Sequence, residues 1–271
     1  MRIAHFSDLH FGRIGHPGVV DALVEEVNQG DIGLAVLSGD LTLRARPREF
    51  RAAQDLLASL DPPTLVVPGN HDVYPWWNPI RRLRTPLERY RTYITQDLAP
   101  TFDTEEGIAV LGLSSAYGLT IKSGRVGASD REAVRDYFGA MEQRPFKVLV
   151  LHHQLTKMQS LGSHDIVEQA RRTLQTAVEV GVDLILCGHL HVSLIEPIEI
   201  IPGDHRVVVA SAGTATSNRW RKGHDATNFY NVITVASDSF SIEERRYVPD
   251  DQQFTRDGVT HFDRSAPVLD P

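Results

Sequence analysis

The sequence predicts an α/β fold, on three observations. Short apolar runs alternate with longer amphipathic stretches through the first two-thirds of the chain. Each run ends in a loop rich in Gly, Asp, His or Ser. Beyond Gly188 the pattern changes to strand after strand without a helix between them. The runs at 3–6, 34–37 and 65–67 read as buried strands, and 19–28 and 48–60 carry apolar residues at helical spacing. Gly30 and Asp61-Pro62 are the expected stops. This β-α-β-α-β order implies a mainly parallel sheet with right-handed crossovers. Strands are expected again at 109–113, 148–151 and 184–186, with helices at 129–143 and 165–180, Asp165 standing as N-cap of the latter. The runs at 195–201, 207–211, 230–235 and 240–247 suggest antiparallel pairing that closes a second sheet.

Residues 1–248 read as one domain, with a cap-like elaboration at 74–100. That segment holds Trp76, Trp77, four prolines and the basic residues Arg81, Arg82, Arg84, Arg89 and Arg91. Most of those arginines are expected in solvent, and one tryptophan is a candidate to face substrate. Residues 249–271, polar and without apolar periodicity, read as a C-terminal tail. Of the 271 residues 41% are hydrophobic, ordinary for a globular protein. The formal charge of −7 offers no general attraction to nucleic acid or an anionic membrane, so neither is an expected partner. The single cysteine, Cys187, permits no intrachain disulfide and reads as a packed thiol. The polar first residues do not suit a signal peptide, and no run approaches a membrane span, so a cytoplasmic protein is the default expectation.

The chemistry lies at the carboxyl ends of the expected strands, where ligand sites of open α/β sheets are found. The first strand leads into Ser-Asp8-Leu-His10, the second into Ser-Gly-Asp40 and the third into Pro-Gly-Asn70-His71-Asp72. Later strands lead into His152-His153 and Cys-Gly-His189-Leu-His191. Taken singly, each motif is ordinary turn or capping chemistry. Their joint occurrence, each after an apolar run, delivers Asp, Asn and His to one sheet edge. Imidazole and carboxylate donors without thiolate suit Zn, Mn or Fe, and a carboxylate can bridge two ions.

This ordered set resembles the calcineurin-like metallophosphoesterase superfamily, whose pattern is Asp-x-His, Gly-Asp, Gly-Asn-His-Asp/Glu, His and Gly-His-x-His. The resemblance spans about residues 1–215. It implies a four-layer α/β/β/α sandwich of two mixed sheets flanked by helices. It also implies two divalent or mixed-valence metal ions (Mn, Fe or Zn). Asp8, His10, Asp40 and His191 would hold one, and Asp40, Asn70, His152 and His189 the other, with Asp40 bridging. His152 is preferred over His153 because similar sequences carry His-x-Pro there, although Gln154 replaces the proline. His71 resembles the family's general acid, with Asp72 either orienting it or serving as a loop acceptor.

The expected activity is hydrolysis of a small phosphoester. Gly39-Asp40-Leu-Thr departs from the protein phosphatases, and His71 from the diacylglucosamine hydrolases. The Gly-Asp-Leu-Thr block and Ser211-Ala-Gly-Thr-Ala-Thr216 resemble bacterial cyclic-nucleotide and glycerophosphodiester phosphodiesterases. A phosphomonoesterase using the same cage is the alternative, and a non-catalytic metal-binding scaffold a more distant one. Arg219 is open between substrate contact and an exposed loop position. A homodimer through the strand-rich C-terminal part is one option the sequence leaves open.

Overall fold

Alternate residues of one strand face two different apolar layers. Along β1 (Arg2–Phe6), Ile3 joins one buried cluster while Ala4 and Phe6 join another. The same division recurs along β6 (Phe146–Val150), where Val148 and Val150 face the first cluster and Leu149 a third. Strands buried on both faces need two covering layers, so the chain stacks as helices, sheet, sheet, helices. The computed structural model describes residues 1–105, 107–120, 122–141, 144–158, 161, 164–199, 206–224 and 226–264.

In the first sheet, β1, β2 (Leu34–Leu37) and β3 (Thr64–Val66) run parallel. On the other side of β1 lie β10 (Phe229–Val235), β11 (Ser239–Val248) and β12 (Gln253–Asp263), all antiparallel. The second sheet has parallel β5 (Ile108–Gly112), β6, β7 (Leu184–Cys187) and β9 (Arg206–Ser211). It is edged by antiparallel β4 (Thr101–Asp103) and β8 (Leu194–Glu199). Ile3, Val36, Val110, Val148, Leu186 and Ile233 fill the space between the sheets. Outside the first sheet, α1 (Val19–Gln29) buries Val19, Leu23 and Val27, and α2 (Pro47–Ala58) buries Phe50, Ala53 and Leu56. Pro47 at the first position and Glu49, which accepts from the backbone N–H of Arg44 (2.8 Å) and Arg46 (3.2 Å), start α2. Outside the second sheet lie α5 (Ala128–Gly139) and α6 (Ala170–Glu179). This is the four-layer sandwich that the resemblance implied.

Three sequence readings are corrected. The strands after Gly188 do not close one sheet. β8 and β9 complete the second, whereas β10–β12 extend the first, because β10 finds the free edge of β1. Residues 253–263, read as tail, form β12; Phe254 packs on Tyr230 (5.1 Å) and Tyr247 (5.2 Å), and Phe262 on Phe240 (5.0 Å). Its outer face is solvated, so its apolar residues are too sparse to show a period of two. The remainder of that segment, 265–271, lies outside the described residues, as do 200–201 of the run expected at 195–201 and 142–143 of the helix expected at 129–143. Finally, α6 begins after Gln169 (φ 67°), not at Asp165. The N–H groups of Val167 and Glu168 are taken by Gln154 (2.9 Å) and Gly124 (2.8 Å), so this stretch is tied to other loops before the helix starts. The elaboration at 74–100 is helical, with α3 (Pro79–Arg84) and α4 (Glu88–Tyr93).

Candidate metal centre

The five loops meet at the carboxyl edge of both sheets, and their backbones are bent to do so. Among the described residues, five of the nine non-glycine residues with positive φ are Asp8 (55°), His10 (46°), Asp40 (54°), His189 (72°) and His191 (58°). A left-handed residue costs about 1–2 kcal/mol outside glycine, and such outliers cluster where function over-determines them. In both x-separated pairs the middle residue is buried core, Leu9 and Leu190. Two motif glycines leave room that the motif loops fill. A Cβ on Gly69 would lie 2.1 Å from Asp40 Oδ1, and one on Gly188 would lie 1.8 Å from Ser7 Oγ and 2.8 Å from Asp8 Oδ2.

Donor atoms of Asp8, His10, Asp40 and His191 lie within 4.8 Å of one another, and so do those of His152, His153 and His189. His10 Nε2 stands 3.5 Å from Asp8 Oδ1 and 3.6 Å from Asp40 Oδ2. His191 Nε2 is 3.2 Å from Asp8 Oδ1, and His152 Nε2 is 3.3 Å from Asp40 Oδ2. Asp40 thus lies between the two groups.

Each carboxylate has one oxygen committed to backbone. Asp8 Oδ2 accepts from the N–H of His189 (2.8 Å), and Asp40 Oδ1 from that of His71 (2.8 Å). The other oxygens, Asp8 Oδ1 and Asp40 Oδ2, are buried with no hydrogen-bond partner, as is His152 Nε2. Buried orphaned anionic oxygens cost several kcal/mol unless a cation satisfies them. The imidazoles are set to supply the rest of a cage. His10 Nδ1 donates to Thr42 O (3.2 Å), His152 Nδ1 to Ser38 O (2.7 Å) and His191 Nδ1 to Arg219 O. Each bond leaves the Nε2 lone pair toward the centre. The donor set therefore fits divalent cations.

Electrostatics agree. Burial alone would raise both aspartates, but the imidazoles around them hold each well below the usual carboxylate range. Burial pushes His10 down to about 4 and His189 down to about 3, keeping them neutral as metal ligands must be. His152 is different: burial opposes its charge, but Asp40 and then Asp8 hold it at about 9.

Asp72 is placed as a loop acceptor, the second of the two roles that the sequence left open, and not as a partner of the His71 ring. Its two oxygens accept from the N–H groups of Leu41 (3.2 Å), Thr42 (2.9 Å) and Gly69 (2.9 Å) and from Thr42 Oγ1 (3.0 Å). It clamps the Asp40 loop to the Asn70 loop. Burial, then the charge of Asp40, push its pKa up to about 7 against those donors. The His71 ring is held instead by Leu43 O, which accepts from Nδ1 at 2.7 Å. Asp72→Ala strands three backbone donors at about 1–3 kcal/mol each and is expected to cost about 3–5 kcal/mol or more of stability. Urea midpoints of the metal-free protein measure this; an unchanged midpoint would show the clamp to be unimportant.

Residues outside the five donor motifs support them. Thr214 Oγ1 donates to Asp8 O (2.7 Å) and Thr216 Oγ1 to Leu9 O (2.8 Å), so the Ser-Ala-Gly-Thr-Ala-Thr run holds the Asp8-x-His10 loop. Gln154 Nε2 donates to Gly188 O (3.0 Å) and Ser211 Oγ (3.1 Å), tying the His152 loop to the His189 loop where a proline was expected. His153 is buried, with Nδ1 2.8 Å from Ser115 Oγ. Arg219 is half-buried and contributes its carbonyl oxygen, not its guanidinium. Trp76 and Trp77 are 69% and 52% exposed.

Comparison with known proteins adds the same answer. The model of the calcineurin-like phosphoesterase family matches residues 1–193. A glycerophosphodiester phosphodiesterase of Enterobacter lignolyticus is 35% identical over 82 residues, 27% of this chain and 30% of that protein. Among solved structures, the purple acid phosphatase PPD1 of yellow lupin superposes with a TM-score of 0.72 at 15% identity, over 97% of this chain and 54% of that one. A dimetal phosphatase of Danio rerio gives 0.67 at 12% identity, over 98% and 99%. The chain spans less than half the length of the curated relatives it matches. With five motif loops at the carboxyl edge of the two sheets of a four-layer sandwich and a family model covering most of its length, this chain belongs to the calcineurin-like phosphoesterase family.

Proposed function

We propose that the protein hydrolyses a phosphodiester of small nucleotide or glycerol type with two bound metal ions. The observation that carries this reading is the pair of buried, unpartnered oxygens, Asp8 Oδ1 and Asp40 Oδ2, facing imidazole Nε2 atoms. Asp8, His10, Asp40 and His191 would hold one cation, and Asp40, Asn70, His152 and His189 the other. When bound, the cations supply neutralisation of phosphoryl charge and a more acidic water. Mn, Fe and Zn all suit nitrogen and oxygen donors.

The chain's own part is proton delivery and orientation. His71 has Nδ1–H committed to Leu43 O, so in the imidazolium form the Nε2–H is the proton given to the leaving oxygen, which leaves the neutral Nδ1–H ring behind. Its ring stands 4.7 Å from that of His10, beside the first group of donors. Among the described residues no helix is long and apolar enough to cross a membrane. Cys187 is buried, and burial pushes its thiol well up, as expected of an inert thiol.

The partial match to a glycerophosphodiester phosphodiesterase supports diester over monoester. Protein reconstituted with Mn is expected to turn over bis(p-nitrophenyl) phosphate faster than p-nitrophenyl phosphate. A marked preference for the monoester would overturn the diesterase reading, and inactivity on both with metals bound would favour a scaffold.

A further inference from the structure

Large apolar side chains are gathered on the 74–100 elaboration and on a loop packed against it. Among the described residues, five of the seven large hydrophobics that are exposed are Trp76 (69%), Trp77 (52%), Ile80 (67%), Leu83 (60%) and Leu119 (66%). They form one face. The two indoles meet edge to face at 5.8 Å, and Ile80 and Leu83 lie one turn apart on α3. Arg82, between them in sequence, is buried on the opposite side, donating to Tyr74 O and Thr120 O. The second of these bonds brings the loop carrying Leu119 against α3, where a Cβ on Gly118 would lie 2.3 Å from Arg82 O. Buried Tyr74 and Tyr90 anchor the segment to the body, with Tyr90 donating to Val66 O at 2.9 Å. The face is therefore held outward by buried contacts, and exposed apolar side chains concentrated in this way mark an interaction site.

Its charge identifies the partner. Between residues 76 and 91 stand five arginines and one acid, Glu88, in a chain whose formal charge is −7. Arg81, Arg84 and Arg91 are exposed, and the exposed Arg44 lies over the Trp77 ring at 5.7 Å. Each of the five apolar side chains is more than half exposed, as on a projecting face and unlike the lining of a pocket for a small ligand. Tryptophan with aliphatic residues and arginine is the composition that settles at the headgroup level of an anionic bilayer. We propose that this face docks the protein onto an anionic lipid surface. Docking would present the His71 side of the centre to that surface, since Arg44 follows Leu43, whose carbonyl holds the His71 ring. The inference departs from the expectation of no membrane partner, which rested on whole-chain charge. It is independent of whether the substrate is a diester.

The test uses the full metal-loaded chain with vesicles of phosphatidylcholine alone and of phosphatidylcholine mixed equally with phosphatidylglycerol. Co-sedimentation is expected with the anionic vesicles, and to weaken in high salt. Tryptophan emission should shift to the blue and be quenched by lipids brominated in the acyl chain; Trp220→Phe leaves Trp76 and Trp77 as the reporters. The double variant Trp76→Ser/Trp77→Ser should lose about ten-fold or more of the partitioning, with metal content and thermal melting unchanged. Arg81→Gln/Arg84→Gln should lose the preference for phosphatidylglycerol. Absence of binding to anionic vesicles overturns the proposal, as does equal binding by the tryptophan variant. Concentration-dependent dimerisation abolished by that variant, without vesicle binding, would assign the face to a second copy of the chain, and a soluble acidic protein bound in place of vesicles would assign it to that partner.

Discussion

Asp40→Asn is expected to remove bound metal and lower turnover roughly a thousand-fold or more. Asparagine keeps the acceptor that holds His71 N–H but replaces Oδ2, the orphaned oxygen between the two donor groups, with an NH2 that cannot ligate. Lewis-acid neutralisation of phosphoryl charge is worth several kcal/mol, and about 4 kcal/mol corresponds to about three powers of ten in rate. The stability readout separates this from misfolding. In the wild type, added Mn should raise the melting temperature through binding to the native state alone. In Asp40→Asn that rise should shrink or vanish, while the metal-free protein, which has lost the carboxylate paired with His152, should still melt cooperatively but at a lower temperature. Elemental analysis showing two ions still bound would refute the bridging role.

His71→Ala is expected to lower kcat by roughly 10²–10⁴-fold while both ions remain bound. The ring reaches the centre only through its position: its backbone N–H is tied to Asp40 Oδ1 and its Nδ1 to Leu43 O, and it belongs to neither group of donor atoms within 4.8 Å. Loss of a proton donor should be least costly for substrates with good leaving groups. The deficit on bis(p-nitrophenyl) phosphate should therefore be smaller than on a diester of an ordinary alcohol. A variant that loses metal together with activity, or shows the same deficit for both leaving groups, would make His71 a structural residue.

How far the sequence could be read differs between core and periphery. The strands that are buried on both faces, such as 34–37 and 184–186, stand out because every residue must be apolar. β12 was hidden because an edge strand with one solvated face carries a sparse apolar signal, and its stability comes from backbone pairing with β11. α6 was placed too early because helical spacing does not reveal that the N–H groups of Val167 and Glu168 are already used.

The site divides in the same way. The donors announce themselves because Asp, Asn and His after an apolar run must either cap a turn or face the open edge of a parallel sheet. Their supports do not: the carbonyls of Ser38, Thr42, Leu43 and Arg219 orient the imidazoles, and any residue type can offer a carbonyl. Asp72 shows the limit most clearly. Its type and place beside His71 suit either an orienting partner or a loop clamp, and only the positions of Leu41, Thr42 and Gly69 decide for the clamp.

By itself, then, the sequence determined the layered α/β class, the parallel core strands and the candidate donors, since hydrophobic burial and metal-ligand chemistry are properties of residue type and spacing. The tertiary structure decided which sheet received β10–β12, which oxygens and nitrogens face the centre, and that five large apolar side chains on and beside α3 stay exposed. Those depend on contacts between residues far apart in the chain, where direction and partner are set by packing and cannot be read from local composition.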